Sequence, residues 1–152
     1  DFSLSSLEEK KEAAQQLFNL GAKAILLKGG HEEGEVKTDV LFFNKSTRQR
    51  DNKSTSRDAS MTQNDKQDVV DTSIKMLLLS SPTIETNNTH GTGCTLSSAI
   101  AAFIARGLSL EDAISEAKNY VTEAIRAGAD VKIGKGIGPV NHAFNPQKMI
   151  VL

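Results

Sequence analysis

Residues 6 to 20 place Leu7, Ala14, Leu17 and Phe18 at helical spacing in an otherwise polar segment. Ser6 precedes this run and Glu9 follows three residues later, a capping box, while Gly21 supplies a stop. The next apolar run, "AKAILLKGG", is too short for a helix and closes on two glycines, so it predicts a buried strand that enters a loop. "VKTDVLFF" predicts a second strand, with Val36, Val40, Leu41, Phe42 and Phe43 as its β-compatible side chains. Helix, strand, strand is an α/β beginning.

From residue 44 to residue 73 the pattern is lost. "NKSTRQRDNKSTSRDASMTQNDKQDVVDTS" has few apolar side chains and charges of both signs, a composition that cannot offset the entropy of ordering, and it predicts a flexible polar insertion. Order resumes at "SIKMLLLSSPTIE", with a strand expected from Ile74 to Leu79 and a turn around Pro82. Helices are expected from Thr92 to Arg106 and from Leu110 to Ala127. The second starts at Ser109 as N-cap with Asp112 at N3, and carries Ala113, Ile114, Ala117, Tyr120, Val121, Ala124 and Ile125 on one face. The Gly-rich tail "GKGIGPVNHAF" reads as a loop that covers something or returns to the sheet.

Composition narrows the function classes. The 152 residues, 38% of them hydrophobic, suit one core of ordinary size. A net charge of -1 without a Lys/Arg block gives no electrostatic case for a nucleic acid or an anionic membrane. No apolar run has a membrane-spanning length, and "DFSLSSLEEKKE" lacks a signal peptide's apolar core, so a cytoplasmic protein is expected. The single cysteine, Cys94, permits neither an internal disulfide nor a Cys-rich zinc site.

Chemistry concentrates where "HGTGC" runs into "TLSSAIAAFIA". Amides at a helix N-terminus lack intrahelical partners and the aligned peptide dipoles favour an anion there, so a phosphate is the natural occupant. Gly91 and Gly93 let a ligand approach the backbone, and Cys94 lies where the same field favours a thiolate. Taken alone this is a weak signal, because Gly-x-Gly before a helix is common and a lone cysteine is ordinarily inert packing. A second Gly-rich loop, "LLKGGH", also leaves a predicted strand, and in open α/β sheets two such loops can face one crevice. Lys28 would bring a positive charge to it, although a lysine there is ordinarily just solvated.

"LLKGGH", "DVLF", "NNTHGTGCTLSSAIAA", "GLSLEDAISEAKNYVTEAI" and "GKGIGPVNH", in that order, resemble the C-terminal portion of the hydroxymethylpyrimidine/phosphomethylpyrimidine kinases of thiamine biosynthesis. These belong to the ribokinase-like superfamily, whose corresponding loop usually ends in Asp; Cys after "THGTG" points to the pyrimidine kinases and the neighbouring pyridoxal kinases. The resemblance implies an α/β ribokinase-like three-layer sandwich, present as its C-terminal part and carrying the long polar insertion at 44–73. Residues 1–152 are then a partial kinase domain, the half with the nucleotide site and catalytic base. It further implies ATP and Mg²⁺ as cofactors and a small-molecule pyrimidine substrate.

By resemblance, Cys94 matches the general base, and Gly91, Thr92 and Gly93 match the anion hole. Lys28, Gly29, Gly30 and His31 match an ATP-contacting segment, with Asp39 and Lys118 as further nucleotide contacts; no protein metal ligand is implied. For His31 and Lys118 a solvated position competes. His90 and His142 lie in matched motifs without an assigned chemical role, and holding a loop by hydrogen bonds is the reading given to them. The family's Gly-rich N-terminal half, with its pyrimidine pocket and acidic motif, has no counterpart, and the first residue is Asp1 rather than Met. The chain is therefore expected to be somewhat more than the last half of such a kinase, completed by the missing N-terminal half or paired as a homodimer. Two alternatives stay open: a pyridoxal kinase, and a catalytically incompetent fragment.

Overall fold

The structure, a computed structural model, describes residues 6–30, 34–44 and 74–146. The expected ATP contact His31 and the expected insertion, apart from Asn44, lie outside the described residues. The elements run α1 (Leu7–Asn19), β1 (Ala24–Leu27), β2 (Val36–Asn44), β3 (Ile74–Pro82), α2 (Thr92–Ala105) and α3 (Leu110–Gly128). The strands form one three-stranded sheet in the order β1-β2-β3. Two compact units share the chain: one takes the described parts of Asp1–Leu26 and Leu41–Met76, the other those of Leu27–Val40 and Leu77–Leu152.

In the first unit, α1 starts as its sequence predicts. The Glu9 amide donates to Ser6 Oγ at 3.1 Å, and the Ser6 amide donates to Glu9 Oε2 at 2.9 Å, so two donors left over at the helix start are satisfied reciprocally. The helix closes in a Schellman pattern, with Gly21 N–H on the Phe18 carbonyl at 2.9 Å and Ala22 N–H on the Leu17 carbonyl at 3.2 Å. Ala14, Ile25, Leu41 and Phe42 are this unit's buried apolar side chains.

The second unit holds the chemistry-bearing loops. α3 buries Ala113, Ile114, Ala117, Val121 and Ala124 along one stripe, as the periodicity requires, with Tyr120 and Ile125 half-buried on its flanks. Ser109 Oγ accepts the Asp112 amide at 3.1 Å and so caps its start. α2 packs against α3. Its sequence "TGCTLSSAIAAFIA" is apolar nearly all round, yet only Thr95 and Leu96 are buried, and Ile104 is 43% exposed.

One boundary differs from the sequence reading by more than a residue: β3 continues to Pro82, where the turn was expected, instead of ending at Leu79. Its extension is held by Thr83, whose amide donates to the Glu35 carbonyl at 2.7 Å and whose hydroxyl donates to the Gly34 carbonyl at 2.6 Å. Proline is tolerated there because β3 ends the strand order among the described residues, so one side of its backbone has no described strand to which it must donate.

Candidate active site at the start of helix 2

Gly91 is the N-cap of α2 and has φ +85°, a left-handed conformation that side-chain-bearing residues adopt only with strain. The turn is fixed by Thr95, whose amide and hydroxyl both donate to the Gly91 carbonyl, at 2.9 and 2.8 Å. Thr92 folds back in the same way, its hydroxyl donating to the Thr89 carbonyl at 2.6 Å. No side chain caps this helix. The amides of Gly93 and Cys94 have no acceptor among the described residues, so the helix begins with donors open to a ligand. Cys94, at N3, is exposed. Core packing therefore does not explain it.

The Lys28–Gly30 loop reaches the same place. A Cβ built on Gly93 would stand 3.8 Å from Lys28 Nζ and meet nothing else, so the ammonium and the open amides flank one small space. This space is part of a cleft of about 560 Å³ lined by Lys28, Gly30, Asp39, Thr92, Gly93 and Lys118, among others. Among the described residues its lining carries Lys28, Lys37 and Lys118 beside Asp39, and the Lys28 ammonium at the helix start suits an anionic ligand. Its volume lies within the usual range of small-molecule sites, about 300–1,000 Å³.

Asp39 and Lys118 line the cleft but are engaged with each other. Lys118 Nζ donates to Asp39 Oδ2 at 2.8 Å, and the Gly29 amide donates to Asp39 Oδ1 at 2.9 Å. The pair is buried, with side-chain exposures of 11% and 9%. Sequence reasoning presented these residues as nucleotide contacts. The structure adds a task that spacing could not reveal, because 79 positions separate the partners: the carboxylate ties the Gly-rich loop to α3.

Cys94 lines a second cavity, of about 450 Å³, together with Ser98, Ala102, Phe103, Tyr120 and His142. The N-terminus of α2 thus stands with Thr92 and Gly93 on the first cleft and Cys94 on the second. His142 Nε2 lies 2.8 Å from Thr95 Oγ1. The Thr95 hydroxyl proton is committed to the Gly91 carbonyl, so the histidine is the donor and its Nε2 carries a proton. Tyr120 holds the same segment by donating to the His142 carbonyl at 3.0 Å. His90 acts through its backbone, its amide donating to the Gly138 carbonyl at 3.0 Å and its carbonyl accepting from the Val140 amide at 3.3 Å. Asn88, just before the motif, was missed; the signal available was a polar residue followed at a distance by the glycines of "GIGPV".

No group of three or more His, Cys, Asp or Glu that could hold a metal ion exists among the described residues. With Asp39 already engaged, the side chains described do not by themselves make a Mg²⁺ site. No helix among the described residues is long and apolar enough to cross a membrane.

The family model for phosphomethylpyrimidine kinase matches residues 1–141. The chain belongs to the phosphomethylpyrimidine kinase family. It is 40% identical over 134 residues to the hydroxymethylpyrimidine/phosphomethylpyrimidine kinase of Rhizobium meliloti, a match that covers 88% of this chain and 40% of the relative. It is 39% identical over 140 residues to the thiamine biosynthesis bifunctional protein ThiED of Geobacter sulfurreducens, covering 92% of this chain and 22% of that protein. Among solved structures, the pyridoxal kinase of Staphylococcus aureus superposes with a TM-score of 0.66 at 28% identity, over 94% of this chain and 42% of that one. Its complex with ADP gives a TM-score of 0.67. The α/β ribokinase-like fold expected from the motifs is the fold of these neighbours. The chain spans about two fifths, or less, of the proteins it matches.

Proposed function

We propose that the chain is the nucleotide-binding and catalytic-base portion of an ATP-dependent hydroxymethylpyrimidine and phosphomethylpyrimidine kinase. The observation that carries this reading is the convergence of Lys28 with the open amides of Gly93 and Cys94 at the start of α2. The nucleotide's phosphates occupy the lysine-lined cleft and reach the helix start. The acceptor hydroxyl, or the phosphate oxygen of the monophosphate, approaches Cys94 from the second cavity. As that oxygen attacks the γ-phosphorus, the proton of a hydroxyl passes to the Cys94 sulfur, while a phosphate oxygen attacks with no proton to give up; the new P–O bond forms and the bond to the ADP oxygen breaks. Charge on the transferring group is met by the amides and the Lys28 ammonium, fixed donors that need no rearrangement during the step. Relatives at 34–40% identity are named as hydroxymethylpyrimidine/phosphomethylpyrimidine kinases, and the pyridoxal kinases of Staphylococcus aureus and Bacillus subtilis lie further off at 27–28%.

An apolar helix normally lies buried, so the exposed sides of α2 fit a portion that needs covering by the remainder of a longer kinase domain. The small space beside Lys28 gives a direct test. Gly93→Ala adds one methyl there without a steric clash and at a helical position where alanine is the better helix former, so stability is kept or slightly raised. The methyl takes the room of a phosphate oxygen, and ADP affinity in the intact protein, measured by calorimetry, should fall at least about tenfold, in line with the loss of one charge-assisted hydrogen bond. Unchanged affinity would place the phosphates elsewhere.

A further inference from the structure

Asn88 is buried, and both hydrogens of its side-chain amide are used. Nδ2 donates to the carbonyls of Gly128 and Val131 at 2.6 Å each and lies 3.3 Å from that of Ala129. Two of these carbonyls belong to the end of α3, where the helix itself offers no donor. The Thr86 hydroxyl adds a bond to the Ala129 carbonyl at 2.9 Å and accepts the Asn88 amide at 3.0 Å. On the far side Gly138 has room for no side chain: a Cβ there would collide with Asn88 Oδ1 and stand 2.7 Å from its Cγ. Two residues further on, His90 pairs with the same 138–140 segment.

These contacts share one beam. Near the middle of α3, Lys118 holds Asp39 and through it the amide of Gly29; at its end, Gly128 and Ala129 hold Asn88, three residues before the N-cap Gly91. Resting on the kinase reading above, we infer that Asn88 is a positioning residue, which pins the loop before Cys94 to the end of α3 so that the open amides of α2 keep their place relative to the Lys28–Gly30 loop. It touches no reacting atom. The amide is required because only a side chain with two hydrogens and no charge can serve these carbonyls. An aspartate of the same shape would set a carboxylate against them.

The test uses the intact protein with Asn88→Asp, Asn88→Ala, Gly138→Ala and the double Asn88→Ala/Gly138→Ala variant. Leu79→Ala serves as a control that loses stability at a buried β3 residue. For both Asn88 variants kcat should fall about 10- to 100-fold, by more than KM for ATP rises, the mark of displaced transition-state donors. Hydrogen exchange should speed up at the His90, Thr92 and Thr95 amides more than in Leu79→Ala. Gly138→Ala should reproduce the defect alone and add little in the double variant, because the group it collides with has gone. If the Asn88 variants match Leu79→Ala in exchange at those three amides, Asn88 is merely structural and the inference fails. A wild-type protein without kinase activity would sink the proposed function alone, since the exchange comparison still decides the pin.

Discussion

Replacing Cys94 with alanine in the intact kinase is expected to lower the single-turnover rate of phosphoryl transfer by about 10²- to 10⁴-fold, the usual worth of a general base. Nucleotide affinity and thermal stability should stay close to those of the parent. The side chain is exposed, so its loss opens no cavity, and the bond from Ser97 Oγ at 3.0 Å is to the Cys94 backbone carbonyl and survives the change. The backbone donors at the start of α2 also remain, open to a phosphate as before. Cys94→Asp should recover much of the rate, because a carboxylate at N3 is favoured by the helix start and can accept the proton. Cys94→Ser should not, since a hydroxyl is a poor base. Rapid-quench measurement of ADP formation separates these cases, and a full rate in the alanine variant would remove Cys94 from the chemistry.

Breaking the Asp39–Lys118 pair should have the largest effect on stability. Asp39→Ala leaves a buried ammonium without its counter-charge and the Gly29 amide without its acceptor; loss of one partner of a buried pair costs about 3–5 kcal/mol. Urea unfolding of the intact protein reads this directly. Replacing both partners with apolar residues, Asp39→Leu with Lys118→Met, should regain most of the stability because no charge is then stranded. Nucleotide binding should not return with it: the Gly29 amide has still lost its anchor, and the cleft has lost one of its lysines. A double variant that binds ADP normally would reduce the pair to a purely structural element.

The fold was legible wherever the signal is local. Ser6 and Glu9 sit three residues apart and make both bonds of the capping box, and the stripe on α3 buries the residues its spacing selects. The end of β3 was not legible, because the bonds from Thr83 to Gly34 and Glu35 that extend it come from residues nearly fifty positions away. The same division holds in the site. Gly91, Gly93 and Cys94 announce a helix start by their order in the chain, and Gly91 takes a left-handed conformation there that its lack of a side chain permits. What joins that start to the rest depends on pairs far apart in sequence: Lys28 near Gly93, Lys118 on Asp39, Asn88 on Gly128. Asn88 looks like any polar loop residue until the carbonyls at the end of α3 are placed around it.

In the reading proposed above, the start of α2 and the Lys28 loop serve phosphoryl transfer to a pyrimidine. Its most direct measurement is ATP-dependent phosphorylation by the intact protein with hydroxymethylpyrimidine and pyridoxal in competition, the products resolved by mass and ³¹P resonance. The expected products are the pyrimidine monophosphate followed by its diphosphate, with pyridoxal phosphate a minor product. Pyridoxal phosphate as the main product would contradict the substrate assignment, and the absence of either product from a folded, ADP-binding protein would contradict the kinase reading itself.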